Sequence, residues 1–276
     1  MITYERSLYG ETTYSQTDLE AEWESIDLAN DTLVFVEEEE VVAFGSLHDR
    51  GELWRTEAYV HPRYQGRGIG TDLARRLETE AASRGAHRLQ TGVAEPDEAG
   101  LRLFAELGYE RVRIFREMRI ELTAQPEPPT WPAGLVVGEL DPETFHAAQQ
   151  EAFADHWENR PREFAEWHGL HIATERFDPT LWVVIEDGDE IAAGAICEAN
   201  RYGGGWVAVL FTRRPWRRRG VGRALLQEAF ARLWEHDERS IGLGVDADGT
   251  MGAFQLYESA GMRPVLGWVM VEKTLP

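Results

Sequence analysis

The stretch Val60-His61-Pro62-Arg63-Tyr64-Gln65-Gly66-Arg67-Gly68-Ile69-Gly70 has a counterpart in Thr212-Arg213-Arg214-Pro215-Trp216-Arg217-Arg218-Arg219-Gly220-Val221-Gly222. Each follows an apolar run that reads as a strand, and each opens a helical pattern. Glycine lets a backbone approach a ligand closely, and successive N–H groups at a helix N-terminus cradle an anion with help from the helix dipole. The pair therefore predicts a ligand carrying phosphate. Two common phosphate motifs are excluded. Thr71 follows Gly70, so the Gly-x-Gly-x-x-Gly spacing of a dinucleotide fold fails. A Walker loop needs a Gly-Lys pair, and the sole lysine is Lys273.

Working outward, the same order of elements surrounds both stretches. Gly68, Gly70 and Leu73 match Gly220, Gly222 and Leu225 at an offset of 152, and Leu103 with Gly108 match Leu256 with Gly261 at 153. In the first half, Thr17 with Glu20 reads as a capping box opening a helix through Leu28. Strands are predicted at 32–36, 41–47 and 53–60, a helix at 68–83 ended by Gly85, a strand at 88–93, a helix at 98–107 and strands at 109–122. The second half repeats this with strands at 182–185, 191–199 and 206–212, a helix at 220–234, a strand at 240–245, a helix at 251–259 and strands at 262–273. The Asp187-Gly188 pair signals its hairpin. A strand at 135–140 and a helix at 143–154 precede these, whereas the first half offers only the ambiguous stretch 4–9, so it either lacks a full opening strand or Met1 lies downstream of the true start. Four prolines within residues 123–133 mark a linker. The expected domains are 1–122 and 134–276, a diverged internal duplication.

Composition bounds the function. The 276 residues carry a net charge of −21, spread evenly over both halves, so no basic arm exists and nucleic-acid binding is disfavoured. No apolar run approaches the roughly 20 residues of a membrane span. The N-terminus lacks a secretory pattern, and Cys197 is the sole cysteine; both predict a reducing cytoplasm. His168 and His171 lack a convincing third ligand, so no metal is expected. The run Glu37 to Glu40 reads as a solvated hairpin tip.

The shared pattern Gln65-x-x-Gly68-x-Gly70 and Arg217-x-x-Gly220-x-Gly222 resembles the pyrophosphate loop of the GNAT superfamily of acyl-CoA-dependent N-acyltransferases. Leu256-Tyr257-Glu258-Ser259-Ala260-Gly261-Met262 resembles that family's second motif block. The likeness covers essentially the whole chain, twice, as in tandem GNAT proteins of the mycothiol synthase type. It implies an α/β fold with a mixed sheet in each of two tandem GNAT domains, packed as a pseudo-dimer. It further implies that acetyl-CoA is held by Gln65, Gly66, Arg67, Gly68, Ile69, Gly70 and Thr71 and by Arg217, Arg218, Arg219, Gly220, Val221, Gly222 and Arg223. Tyr59 and Val60, or Leu210, Phe211 and Thr212, would then bond the pantetheine arm and thioester. The arginines at 213, 214 and 217–219 read as local attraction for its phosphates.

The resemblance also implies catalytic candidates. The family often places a tyrosine acid on the second block's helix, where Tyr257 stands in the second half and Phe104 in the first. It often places a base on the strand before the loop, where Glu57 stands in the first half and Val209 in the second. Tyr257 favours the second half as catalytic, with the first degenerate, although an aromatic on a helix face also packs as core. A base for that half would come through water, from Glu198, or from Asp155 and His156, with His156 and Trp157 shaping the acceptor pocket. The expected activity is acetyl transfer to a primary amine of a small molecule, by direct attack on the thioester, in a monomer or weak homodimer. The alternatives are a non-catalytic acyl-CoA sensor, or activity in the first half with Glu57 as base. The negative charge would draw cationic amines.

Overall fold

The computed structural model describes residues 1–12, 14–23, 26–157, 159–249 and 252–276, with backbone alone at 21 and 22. Through the first half run α1 (Ile2–Tyr9), α2 (Gln16–Trp23), β1 (Thr32–Glu37), β2 (Glu40–His48), β3 (Leu53–Val60), α3 (Ile69–Ser83), β4 (Arg88–Ala94), α4 (Glu98–Glu106) and β5 (Glu110–Glu121). Through the second run β6 (Leu135–Val137), α5 (Pro142–Phe153), α6 (Phe164–His171), β7 (Trp182–Asp187), β8 (Glu190–Arg201), β9 (Gly204–Thr212), α7 (Val221–Glu235), β10 (Ser240–Asp246), α8 (Ala253–Ser259) and β11 (Arg263–Thr274). Met251, expected to open the last helix, lies outside the described residues. Among those residues no helix is long and apolar enough to cross a membrane.

Two compact units form, one of Met1–Arg116 with Leu266–Pro276, the other of Glu117–Val265. The chain thus passes between units inside β5, ahead of the proline-rich segment, and returns inside β11. In the first unit the strand order is β1-β2-β3-β4-β11, and β11 closes it by pairing antiparallel with β4 from Trp268–Ala94 to Thr274–Arg88. In the second the order is β5-β10-β9-β8-β7-β6, with Arg119 Nη1 on Ser240 Oγ at 3.4 Å and the Leu122 N–H on the Arg239 carbonyl at 2.7 Å.

The stretch 4–9 is helix, not strand, ended by Gly10 at φ 82° with its N–H on the Arg6 carbonyl. Ahead of α2 the reciprocal cap is Ser15 with Asp18, not Thr17 with Glu20. The Ser15 N–H donates to Asp18 at 2.9 Å and the Asp18 N–H to Ser15 Oγ at 3.1 Å. Thr17 lies inside the helix, which is described as far as Trp23, and residues 26–28, expected within it, are not helical. The 164–171 helix had no expectation. The Glu37–Glu40 hairpin needs Glu38 and Glu39 at φ 50° and 70°, the twist that a two-residue turn demands. Its tip is not merely solvated: Glu37 holds Arg67 at 2.7 and 2.8 Å, and Glu40 accepts from Tyr64 at 3.0 Å.

What positions the loops is the helix behind each. Leu73, Leu77 and Ala81 of α3 recur at helical spacing and are buried with Leu47, Trp54 and Leu89. In the second unit Leu225, Ala229 and Leu233 of α7 do the same against Val207, Ile241 and Leu243. A side chain at Gly45 would bring its Cβ to 2.7 Å from Leu77 Cδ1, so glycine there lets α3 lie close on the sheet.

Candidate functional site

The two loops share one backbone path. Gln65 sits at φ −65°, ψ 160° and Arg217 at φ −66°, ψ 153°. Gly66 and Gly68 follow with φ 73° and 81°, matched by Arg218 and Gly220 at 59° and 84°. Gly68 and Gly220 then serve as the N-caps of α3 and α7, and neither helix start receives a side-chain acceptor. At α4 and α5 a carboxylate does this work: Asp97 accepts from Gly100 N–H and Asp141 from Thr144 N–H, whereas α1, α6 and α8 also start without a side-chain cap. What sets α3 and α7 apart is the run of left-handed residues before an uncapped start, a form compatible with anion binding.

Arg218 takes the left-handed conformation that glycine holds in the first loop. That conformation costs a non-glycine residue roughly 1–2 kcal/mol, part of which glycine's looser unfolded chain gives back. Arg218→Gly is expected to raise stability by about 0.5–1 kcal/mol, measured by urea denaturation.

In the first unit the loop opens onto a cavity of about 320 Å³. Tyr59 and Val60 line it with Gln65, Gly66, Gly68, Gly70 and Thr71, so seven of the expected residues come together here. Arg67 instead turns to Glu37, and Ile69 packs on the core. Two lining residues with polar side chains had no expectation, Tyr4 and Asp97. The Tyr4 hydroxyl donates to Asp97 Oδ2 at 2.6 Å. Burial first, and then that bond, pushes its pKa well above the usual phenol range. Asp97 was legible as a cap at the head of the predicted 98–107 helix, whereas Tyr4 reaches the cavity only through the fold.

A second cavity of about 320 Å³ meets the first at Tyr59 and Gly92. The junction has a backbone cause. Parallel pairing of β3 with β4 runs from Leu53–Arg88 to Thr56–Thr91 and stops there. Glu57, Arg55 and His48 line the second cavity, with Glu5, Arg50 and Gln90. Glu57 is half-buried and stands directly across from Ser46, and Ser46 Oγ lies 3.0 Å from His48 Nε2. Burial, then the charges of Arg50 and Arg55 against the opposing Asp31, hold the His48 imidazole below its usual pKa. His48 also went unforeseen.

The acetyltransferase (GNAT) family model matches residues 2–109 and again 140–262. The chain belongs to the GNAT acetyltransferase family. Mycothiol acetyltransferase of Geodermatophilus obscurus is 32% identical over 221 residues, covering 74% of this chain and 69% of that protein. Mycothiol acetyltransferase of Renibacterium salmoninarum is 28% identical over 217 residues, covering 74% of this chain and 63% of that relative, less than two thirds of its length. Among solved structures, a GCN5-related N-acetyltransferase from Sphaerobacter thermophilus superposes with a TM-score of 0.89 at 29% identity, over 99% of this chain and 90% of that one.

The second GNAT repeat differs on the sheet face that carries Glu57 in the first. The offset of 152 puts Val209 and Phe211 where Glu57 and Tyr59 stand. That face is packed: Phe145, Trp167, Trp182 and Phe211 are buried together, with Ala208 and Val209 against them. The Phe145 ring centroid lies 5.2 Å from that of Phe211 and 5.3 Å from that of Trp182. The β9–β10 pairing also stops early, after Gly205–Ile241 and Trp206–Gly242. Ala208 is bulged out of the β8–β9 register.

The remaining second-half candidates find protein partners. Tyr257 is 7% exposed in a core cluster, where burial pushes its hydroxyl up to about 12; Leu210 packs against the same cluster. Phe104, its counterpart, meets the Tyr109 ring edge-on at 5.0 Å. Glu198 is ion-paired with Arg201 at 2.5 Å, and His156 Nδ1 lies 3.4 Å from the Trp157 carbonyl. Arg217 donates to the carbonyls of Thr212 at 2.9 Å and Ala152 at 2.8 Å. Arg213 pairs with Glu151 at 2.6 Å, Asp155 clasps Arg214, and Arg223 Nη1 reaches Ser259 at 3.2 Å. Much of the arginine cluster is thus neutralised locally. Cys197 is buried, its thiol pushed up to about 12, which makes it unreactive. Among the described residues no three His, Cys, Asp or Glu side chains form a metal-sized group.

Proposed function

We propose that this chain is an acetyl-CoA-dependent N-acetyltransferase that acylates a primary amine of a small molecule in its first unit, with Glu57 as the general base. The observation that carries this reading is the meeting of two cavities at Tyr59 and Gly92, one bordered by the glycine loop and the other by Glu57. It moves the chemistry from the second half, where Tyr257 pointed, to the first. The packed aromatic face of the second unit supports the move.

The N–H groups from Gly66 to Thr71 would hold the pyrophosphate, and the facing edges of β3 and β4 beyond the Thr56–Thr91 pair would take the amide-bearing arm. Acetyl-CoA supplies an activated acyl thioester. An alkylamine has a pKa of about 10 if lysine-like, so it must lose a proton before it attacks. Glu57, beside the junction, accepts that proton, and β3 backbone N–H groups near Tyr59 steady the oxyanion. The phenols lining this cavity are Tyr4 of α1 and Tyr59 of β3, because α4 offers only Phe104.

Comparing Glu57→Gln with Tyr257→Phe tests the assignment. Glu57→Gln is expected to lower kcat about a hundredfold, with acetyl-CoA affinity preserved, while Tyr257→Phe leaves kcat within about twofold. Thiol release from acetyl-CoA with a panel of amines measures both. The reverse order of effects would return the chemistry to the second half.

A further inference from the structure

The Glu57 cavity carries both signs of charge, in contrast to the −21 of the whole chain. Its lining includes two carboxylates, Glu5 and Glu57, two guanidiniums, Arg50 and Arg55, and the amino group of Met1, which burial holds below its usual pKa against the pull of Glu5 and Glu57. The imidazole of His48 adds no charge near neutral pH, since burial and both arginines hold its pKa down. A polyamine entering such a space would meet repulsion as well as attraction. A molecule bearing both signs would not.

The charges are also ordered. Tyr59, Glu57 and Arg55 alternate along β3 and so face one side of the sheet, at steps of about 7 Å. Tyr59 stands at the junction with the loop cavity, Glu57 next, and Arg55 farthest from it. Around Arg55 the register gathers further polar groups, His48 directly across on β2 and Gln90 beside it on β4. Arg50 lies just beyond the end of β2 and is exposed. Glu5, on α1, is buried and accepts from Thr12 Oγ1 at 2.7 Å, which fixes its carboxylate. Along β3, Glu57 therefore lies nearer the junction than Arg55.

Resting on the acetyl-transfer reading above, we propose that the acceptor is a small amine that also carries a carboxylate, its amine at Glu57 beside the Tyr59–Gly92 junction and its carboxylate at Arg55 and Arg50. In the reaction Glu57 takes one proton from the ammonium, the amine nitrogen bonds to the acyl carbon, the carbon–sulfur bond breaks, and a second nitrogen proton passes to the departing sulfur, giving the N-acyl amino acid and the free thiol. The carboxylate takes no part in bond changes. It selects, because guanidinium–carboxylate bonds are strong and directional, and a site built for such a group rejects an analogue lacking it.

The test is acetyl transfer from acetyl-CoA to each of the common L-amino acids and to the primary amide of each, which removes the carboxylate charge and keeps the amine. The wild-type chain is compared with Arg50→Gln and Arg55→Gln, with acetyl-CoA titrated calorimetrically into each protein as a check on folding. At least one acid is expected to exceed its amide about tenfold in kcat/KM, and each variant is expected to cut that ratio about tenfold at unchanged acetyl-CoA affinity. Amides used as well as acids, or an acid preference that both variants leave intact, overturns the proposal and leaves acetyl transfer standing. No transfer to any member by a protein that binds acetyl-CoA also overturns it. Acetyl-CoA binding that survives Gly70→Glu and is lost in Gly222→Glu removes the reading beneath it instead.

Discussion

Gly70→Glu is expected to weaken acetyl-CoA binding at the first unit by about a thousandfold. Gly70 lies in the first turn of α3, and a Cβ there would meet Leu103 Cδ1 at 3.3 Å and Val60 Cγ2 at 3.5 Å. The backbone therefore has little room to yield, and the added chain must point toward the cavity. A carboxylate about 4 Å from a phosphate costs about 4 kcal/mol at an effective dielectric of 20, which is roughly a thousandfold. It would also satisfy the uncapped first-turn donors itself, competing with the ligand for the same N–H groups. The fold is expected to survive, because a first-turn acid suits the helix dipole. Isothermal calorimetry of both proteins measures the effect, and an affinity within tenfold of wild type would reject the loop as the pyrophosphate site. Gly222→Glu gives the parallel reading in the second unit, where the Cβ would meet Leu256 Cδ2 at the same 3.3 Å.

The loops were legible in sequence because their geometry is set locally. Left-handed φ at Gly66, Gly68 and Gly220 is a demand on single residues, and glycine spacing records it. The position of α3 was legible for the same reason, through Leu73, Leu77, Ala81 and the stop at Gly85. Arg218 carries no such mark, because the second loop keeps the φ of 59° without the glycine. Short helices were harder: α1 and the true cap of α2 depend on a few hydrogen bonds at Gly10, Ser15 and Asp18, for which several nearby residues compete.

Choosing between the halves required tertiary information. Tyr257 and Glu57 each match a family position, and sequence weighed them one against one. The decisive difference is what covers the two sheet faces, and the covering residues lie far away in sequence. Phe145 and Trp167 precede Val209 by 64 and 42 positions. His48, Arg50 and Arg55 gather around Glu57 only once β2 and β3 are in register. The passage of the chain between units inside β5 and β11 was invisible for a related reason. Strand pairing at long range is not encoded in a run of prolines, and the segment 123–133 lies wholly within the second unit.

Phe145→Ala is expected to destabilise the protein by about 3–5 kcal/mol, the usual range for deleting a buried aromatic. Phe145 is 0% exposed and meets three rings of one cluster: Trp167 at 6.2 Å, Trp182 at 5.3 Å and Phe211 at 5.2 Å. Collapse into the void is resisted. Gly194 beneath it has no side chain to fill the space, and a Cβ there would now lie 2.5 Å from Phe145 Cε2. Trp167 is pinned by its Nε1–H bond to Gln149 Oε1 at 3.0 Å. Little relaxation means that most of the cavity term remains. Because domain stabilities are only about 5–15 kcal/mol, the loss should appear as a large fall in urea midpoint. A loss below about 1 kcal/mol would mean that this face is loosely filled, and the second unit would regain its claim to an open acceptor site opposite Val209.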